Sequence, residues 1–237
     1  MNKSKDSCQN CNNTECLIHQ NFKDFPESEI VANKNIIKCK KGQQFIMEGA
    51  PVNGFFIILQ GIAKVFRTGI NGREQIVRFA KAGEIVGNRG LSPEECYPIG
   101  AVALSDCKLC YFPKSILKKT LLSNPRFSYD MMLFFASELN KSEIRVKSIS
   151  QMSVRERIID TLLYIHRKFG TLNGYLSLSL SRKEYAQYAG TTEEQVIRTL
   201  SQLKKEKFIE TATKRIKIND FKKLRAEIKD HNYFIGS

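Results

Sequence analysis

No stretch of 18 or more apolar residues occurs in the 237-residue chain, so no segment is suited to cross a bilayer as a helix. The opening residues MNKSKDSCQNCNN lack the apolar core of a secretory signal. A soluble cytoplasmic protein with no membrane partner is therefore expected. Histidine is scarce, with His19, His166 and His231 the only three. His166 falls in a helical pattern and His231 near the terminus, so both read as surface or packing residues. There is no Walker loop, dinucleotide fingerprint or nucleophile elbow, and no acid-base set from which to build an enzyme. Internal repeats and low-complexity linkers are also missing. Acidic residues are outnumbered, 24 against 38 Lys and Arg, for a net charge of +14. That excess favours a polyanionic partner. It is densest after residue 150, where 17 basic residues face 10 acidic ones.

Within that basic portion, Leu180 to Ile209 organises the chain. Ser181 stands three residues ahead of Glu184, a capping-box start, and Tyr185, Ala186 and Ala189 follow at helical spacing. Gly190 supplies a turn. Thr192 and Gln195 then offer a second capping box for a helix from about Glu193 to Lys205, which buries Val196, Leu200 and Leu203. Two helices joined by a tight glycine turn read as a helix-turn-helix, whose second helix enters the DNA major groove. Thr192, Glu193, Glu194, Ile197 and Arg198 lie toward its reading end. Phe208–Thr211 and Arg215–Ile218 flank Ala212-Thr213-Lys214 as a β-hairpin wing, placing Lys214, Arg215 and Lys217 for phosphate contacts.

Upstream, residues 1–22 form an arm with Cys8, Cys11, Cys16 and His19 and little that could form a core. Residues 23–124 hold short β-type runs punctuated by glycine, such as GFFIILQG and GIAKVFRTG, which predict an antiparallel roll or barrel between Ile36 and Phe112. The chain turns helical from about Lys114. Residues 125–150 read as one long helix in which Met132, Phe135, Leu139, Ser142, Val146 and Ile149 recur at spacings of three and four. Such a seam predicts a homodimer formed through this helix, with packing on the roll as the competing use. Residues 151–237 complete the chain with an amphipathic helix at Val154–Phe169, a short strand at Tyr175–Leu180, the helix-turn-helix and wing, and a terminal helix at Lys222–Lys229. The fold class is α+β.

A β-roll, a dimer helix and a C-terminal winged helix-turn-helix, in that order, resemble the Crp/Fnr family of bacterial transcription regulators. KKGQQFIMEGAPVNGFFIILQGIAKVF, GEIVG and TTEEQVIRTL carry the resemblance over nearly the whole chain. It implies a cyclic-nucleotide-binding-like jelly roll, a palindromic double-stranded DNA operator and RNA polymerase as a partner. It also implies that Glu194 and Arg198 read a G·C pair, where arginine can donate twice to guanine and glutamate can accept from cytosine. Nucleotide-binding members follow their Gly-Glu motif, here Gly83-Glu84, with an arginine-containing phosphate-binding pair. Pro93-Glu94-Glu95-Cys96 stands in that region instead, so cyclic AMP is not expected as a ligand.

The FNR-like branch ligates a [4Fe-4S] cluster through three N-terminal cysteines and a fourth at the end of the roll. The resemblance assigns those positions to Cys8, Cys11, Cys16 and Cys110 and implies sensing of oxygen, redox state or nitric oxide. Other readings stay open at this point. Cys8, Cys11, Cys16 and His19 have the chemistry of a zinc site, the three arm cysteines that of redox-active thiols, and Cys107 or Cys110 that of buried strand cysteines with no cofactor. The rival from another class is a receptor whose roll binds a small anionic metabolite without metal. Cys39 and Cys96 read as structural.

Overall fold

The computed structural model describes residues 8, 11–21, 34–91 and 94–234, and Pro93 lies outside the described residues. It has the expected α+β architecture and divides into two compact units, Met1–Ser137 and Glu138–Ser237. No helix among the described residues is long and apolar enough to cross a membrane.

The first unit is built on two four-stranded antiparallel sheets. One has the order β1-β8-β3-β6, from Asn35–Cys39, Cys107–Pro113, Gly54–Gln60 and Ile85–Val86. The other runs β2-β7-β4-β5, from Gln44–Ile46, Gly100–Ala103, Ala63–Thr68 and Glu74–Ala80. The apolar run GFFIIL in β3 has a simple cause. Phe56 and Ile58 point into the core between the sheets, with Leu109 and Cys107 of β8. Phe55 and Ile57 point the other way, into a second core with Cys110 and Phe112 of β8. A strand covered on both faces needs no polar alternation.

That second core is covered by helices and by the arm. Helix α2 (Lys114–Ser123) contributes Leu117, and the start of helix α3 (Pro125–Gln151) contributes Phe127 and Met131. Contrary to expectation, the arm also supplies core. Cys8, Cys16 and Ile18, the last in the short helix α1 (Leu17–Gln20), are buried against the sheet. Gly83 shows how closely the arm lies. Its φ is +92°, and a side chain there would meet Asn13 and Glu15 at 2.9 Å. Asn13 Nδ2 donates to the Ile58 carbonyl at 3.3 Å, and Glu15 pairs with Lys81 at 3.3 Å.

Past Met131, helix α3 leaves Met132, Phe135, Leu139, Val146 and Ile149 exposed, Leu139 at 61% and Val146 at 69%. Ser142, the polar member of the seam, is half-buried and donates to the Glu138 carbonyl at 2.9 Å.

In the second unit, helix α4 (Val154–Phe169) starts at a full capping box between Ser153 and Glu156, and its expected core face of Ile158, Ile159, Leu162, Leu163 and Ile165 is buried. The strand expected over Tyr175–Leu180 is shorter. Thr171–Leu172 (β9) and Tyr175–Leu176 (β10) form a two-residue hairpin around Asn173 and Gly174, both at positive φ. Asn-Gly is the dipeptide that favours this turn, a signal the strand reading passed over. Helices α5 (Arg182–Ala189) and α6 (Glu193–Lys205) and strands β11 (Ile209–Ala212) and β12 (Arg215–Ile218) form the helix pair and wing. The terminal helix is α7 (Phe221–Ala226). It begins earlier than expected because Asp220 caps it by accepting from the Lys223 amide, and the chain continues as a 3-10 turn at Lys229–Phe234.

Candidate functional site

Two sites emerge, one in each unit. In the first, Cys8, Cys11, Cys16 and Cys110 line one cavity of about 400 Å³. Three elements bring them together. The arm turns at Cys8, whose carbonyl accepts from the Cys11 amide at 3.3 Å, and Cys16 stands at the N-terminus of α1. Strand β8 presents Cys110 outward, opposite Ile36 of β1 and Ile57 of β3. Ile36, Ile57, Leu59 and Phe112 form an apolar wall beside the thiols.

Burial sets the chemistry of these cysteines. The Cys16 thiol is pushed up to about 11 and that of Cys110 to about 12, chiefly by desolvation. At neutral pH these two stay protonated and are poor nucleophiles. A metal displaces such protons when it binds. Among the described residues, no three of the His, Cys, Asp and Glu side chains are gathered around a point that could hold one metal ion. A cluster asks for a different arrangement, because each thiolate binds its own iron. The four-thiol donor set around one cavity fits that requirement. His19 also lines the cavity, but its Nδ1 donates to the Cys8 carbonyl at 2.8 Å.

Sequence reading missed Lys34 and Asn13, which share this cavity. A lone lysine in a basic chain carries no signal, and the apolar wall was hidden in strands whose two faces look alike. Cys39 lies opposite Cys107 in the β1–β8 ladder, both buried in the inner core and away from the cavity, while Cys96 is half-buried beside Pro51. Two carboxylates in the region that nucleotide-binding members of the family use, Glu84 and Glu95, are engaged within the chain. Glu84 accepts from Arg78 at 3.3 Å, and Glu95 pairs with Lys114 at 2.6 Å, which holds its carboxyl below the usual range.

The second site is the face of α6. Ser181 and Glu184 form the expected capping box on α5, with bonds of 3.2 and 2.7 Å, and Gly190 ends that helix at φ +66° in the left-handed region. The second capping box is only half present. The Thr192 hydroxyl accepts from the Gln195 amide at 3.3 Å, but Gln195 Oε1 accepts from the Thr191 hydroxyl and does not return to Thr192. Val196, Thr199, Leu200 and Leu203 anchor α6 inward. Thr192, Glu193, Glu194, Ile197 and Arg198 face solvent, with Ile197 51% exposed. Lys214 and Arg215 are exposed on the wing, and the Arg215 guanidinium sits 4.8 Å over the Tyr175 ring. Lys217 is half-buried and pairs with Glu210 at 3.4 Å.

Two arginines of α4 hold this arrangement. Arg155 bridges Glu206, just past α6, at 2.6 Å and Glu227, just past α7, at 2.9 Å. Arg157 donates to the carbonyls of Met152 at 2.9 Å, Ile149 at 3.2 Å and Gly190 at 3.3 Å. Replacing Ser181 with Ala is expected to destabilise the second unit by about 1 kcal/mol through loss of the cap, read as a lower urea midpoint at unchanged slope.

Residues 36–124 match the family described as the cyclic nucleotide-binding domain, and residues 156–227 the Crp-like helix-turn-helix domain. The chain is 26% identical over 221 residues to the anaerobic regulatory protein of Pasteurella multocida, covering 90% of this chain and 79% of that protein. It is 25% identical over 218 residues to the fumarate and nitrate reduction regulatory protein of Vibrio cholerae, covering 89% and 86%. Among solved structures, FixK2 from Bradyrhizobium japonicum has the same fold with a TM-score of 0.73 at 22% identity, over 81% of this chain and 96% of that one.

Proposed function

Because the chain belongs to the Crp/Fnr family of transcription regulators, whose members bind DNA as dimers and are not enzymes, we propose that it is an FNR-like sensor. In this reading its first unit detects oxygen, redox state or nitric oxide through a [4Fe-4S] cluster held by Cys8, Cys11, Cys16 and Cys110. The observation that carries this reading is the single cavity lined by those four cysteines. The names of the relatives, concerned with anaerobic regulation and with fumarate and nitrate reduction, agree with it.

Bound there, the cluster would supply a redox-active centre that can give up electrons to oxygen or react with nitric oxide. The remaining work falls to the chain. The four cysteines bind as thiolates and lose their protons on loading. Ile36, Ile57, Leu59 and Phe112 exclude water from the thiols, and Asn13 with Gly83 seats the arm that carries three of them. A Cys3His zinc site is the weaker reading, since no three of the His, Cys, Asp and Glu side chains among the described residues gather around one point that could hold a metal ion.

Met132, Phe135, Leu139, Ser142, Val146 and Ile149 form the dimer seam, with apolar surface that a second copy covers. The dimer places two α6 helices on a palindromic operator with half-sites one helical turn apart. Arg198 and Glu194 read a G·C pair, Ile197 offers an apolar contact for a thymine methyl, and Thr192 and Glu193 lie at the helix start. Lys214 and Arg215 hold phosphates, and RNA polymerase is the further partner. Residues 1–22, 23–124, 125–150 and 151–237 then serve as cysteine arm, sensor roll, dimer helix and DNA-binding domain.

Protein purified without oxygen is expected to contain iron and sulfide in near-equal amounts and to bind DNA, and brief exposure to air is expected to remove both properties together. Zinc alone, or a metal-free protein that binds DNA equally well in air, would overturn the proposal.

A further inference from the structure

Lys34 lines the cysteine-lined cavity beside the thiols. Its Nζ donates to Cys8 Sγ at 3.6 Å, and it lines the cavity with all four cysteines. No Arg, Asp or Glu is among the described lining residues, and Lys34 is the lysine among them. Its charge is felt by two thiols from different parts of the chain, Cys8 in the arm and Cys110 on β8. Lys34 also stands one residue before β1, in which Ile36 contributes to the apolar wall. The ammonium is therefore placed by the roll and is not carried in with the arm.

The electrostatics give this placement a consequence. Four thiolates around a [4Fe-4S]2+ core leave a net charge of about −2, and uptake of one electron makes it about −3. A cation beside the ligands favours the more negative state, and a hydrogen bond to a ligand sulfur acts in the same direction. We propose that Lys34 is a positioning residue of the sensor whose fixed positive charge, acting through Cys8, raises the reduction potential of the bound cluster. This rests on the reading of the cavity given above. The step is the transfer of one electron from an external reductant, dithionite in the test, to the oxidised cluster, with no bond made or broken in the protein.

The test uses full-length protein loaded without oxygen, as wild type, Lys34→Gln, Lys34→Arg and Lys38→Gln. Lys38 is exposed on β1, so its variant makes the same change in net charge outside the cavity. Iron and sulfide are assayed first, and then the ratio of reduced to oxidised cluster is read by electron paramagnetic resonance at one fixed poise. All four proteins are expected to load equally. Lys34→Gln should lower the ratio roughly tenfold at that poise, while Lys34→Arg and Lys38→Gln should stay near wild type. An unchanged ratio in Lys34→Gln, or an equal fall in Lys38→Gln, overturns the inference and leaves the cluster reading standing. Loss of iron from Lys34→Gln alone overturns it in favour of a role in assembly. Wild type without iron and sulfide overturns both.

Discussion

Replacing Cys110 with Ala is expected to abolish iron and sulfide incorporation outright, whereas Cys39→Ala and Cys96→Ala retain both. The reason is positional. Cys110 is the one roll cysteine that strand β8 turns outward to the arm, and Cys107, three residues earlier, faces the inner core. Cys110 is the one thiol that the roll contributes among the described cavity-lining residues, so its loss leaves three thiolates where a [4Fe-4S] cluster takes four. The controls separate ligand loss from damage to the core. Cys39 is as deeply buried as Cys110, so its truncation should carry a similar packing cost without touching the cavity. Metal content and circular dichroism of the three variants decide the matter. Zinc retained by the Cys110→Ala protein would redirect attention to Cys8, Cys11, Cys16 and His19.

Arg198→Ala should lower affinity for the best operator by about 1–3 kcal/mol and relax preference at one base pair per half-site. Arg198 is exposed on α6, four residues after Glu194, so both side chains share the solvent face. In the proposed reading, removing the guanidinium forfeits two donors to guanine. Lys214→Ala makes the contrast. If Lys214 holds a phosphate as proposed, binding should weaken uniformly across sequences and the salt dependence should fall by roughly one unit of slope. Selection from a randomised pool, followed by anisotropy titrations at two salt concentrations, distinguishes these outcomes. A uniform loss for Arg198→Ala would remove it from base reading.

Periodic patterns made most of the fold legible. Alternating short runs between glycines specified the roll, and Ser181, Gly190 and Thr192 marked the helix pair because caps and turns depend on single residue types. Where chemistry was local, the reading held. It failed where a residue's role depends on what approaches from elsewhere. The arm looked too polar to pack, yet Cys8, Cys16 and Ile18 are buried, because the outer face of β3 and β8 offers an apolar surface that periodicity within the arm cannot reveal. Asn173-Gly174 was legible and was passed over, since the apolar residues after it suggested a longer strand. Lys34 was not legible at all. Its significance lies in a sulfur 26 positions away.

Arg157 gives the DNA-reading half of the molecule a mechanical property. One guanidinium clasps the carbonyls at the end of α3 and the carbonyl of Gly190, the residue on which the turn pivots. The last turn of the seam helix and the reading pair are thereby pinned together at a second point beyond the covalent link. The dimer proposed above would work as a caliper, with the gap between its two tips set by how the seams cross. One base pair inserted between half-sites rotates one of them by roughly 34–36° around the duplex. In the proposed dimer, jaws clasped in this way would resist that rotation at the turn, and the spacing of the half-sites would be as much a part of the recognised sequence as the bases themselves.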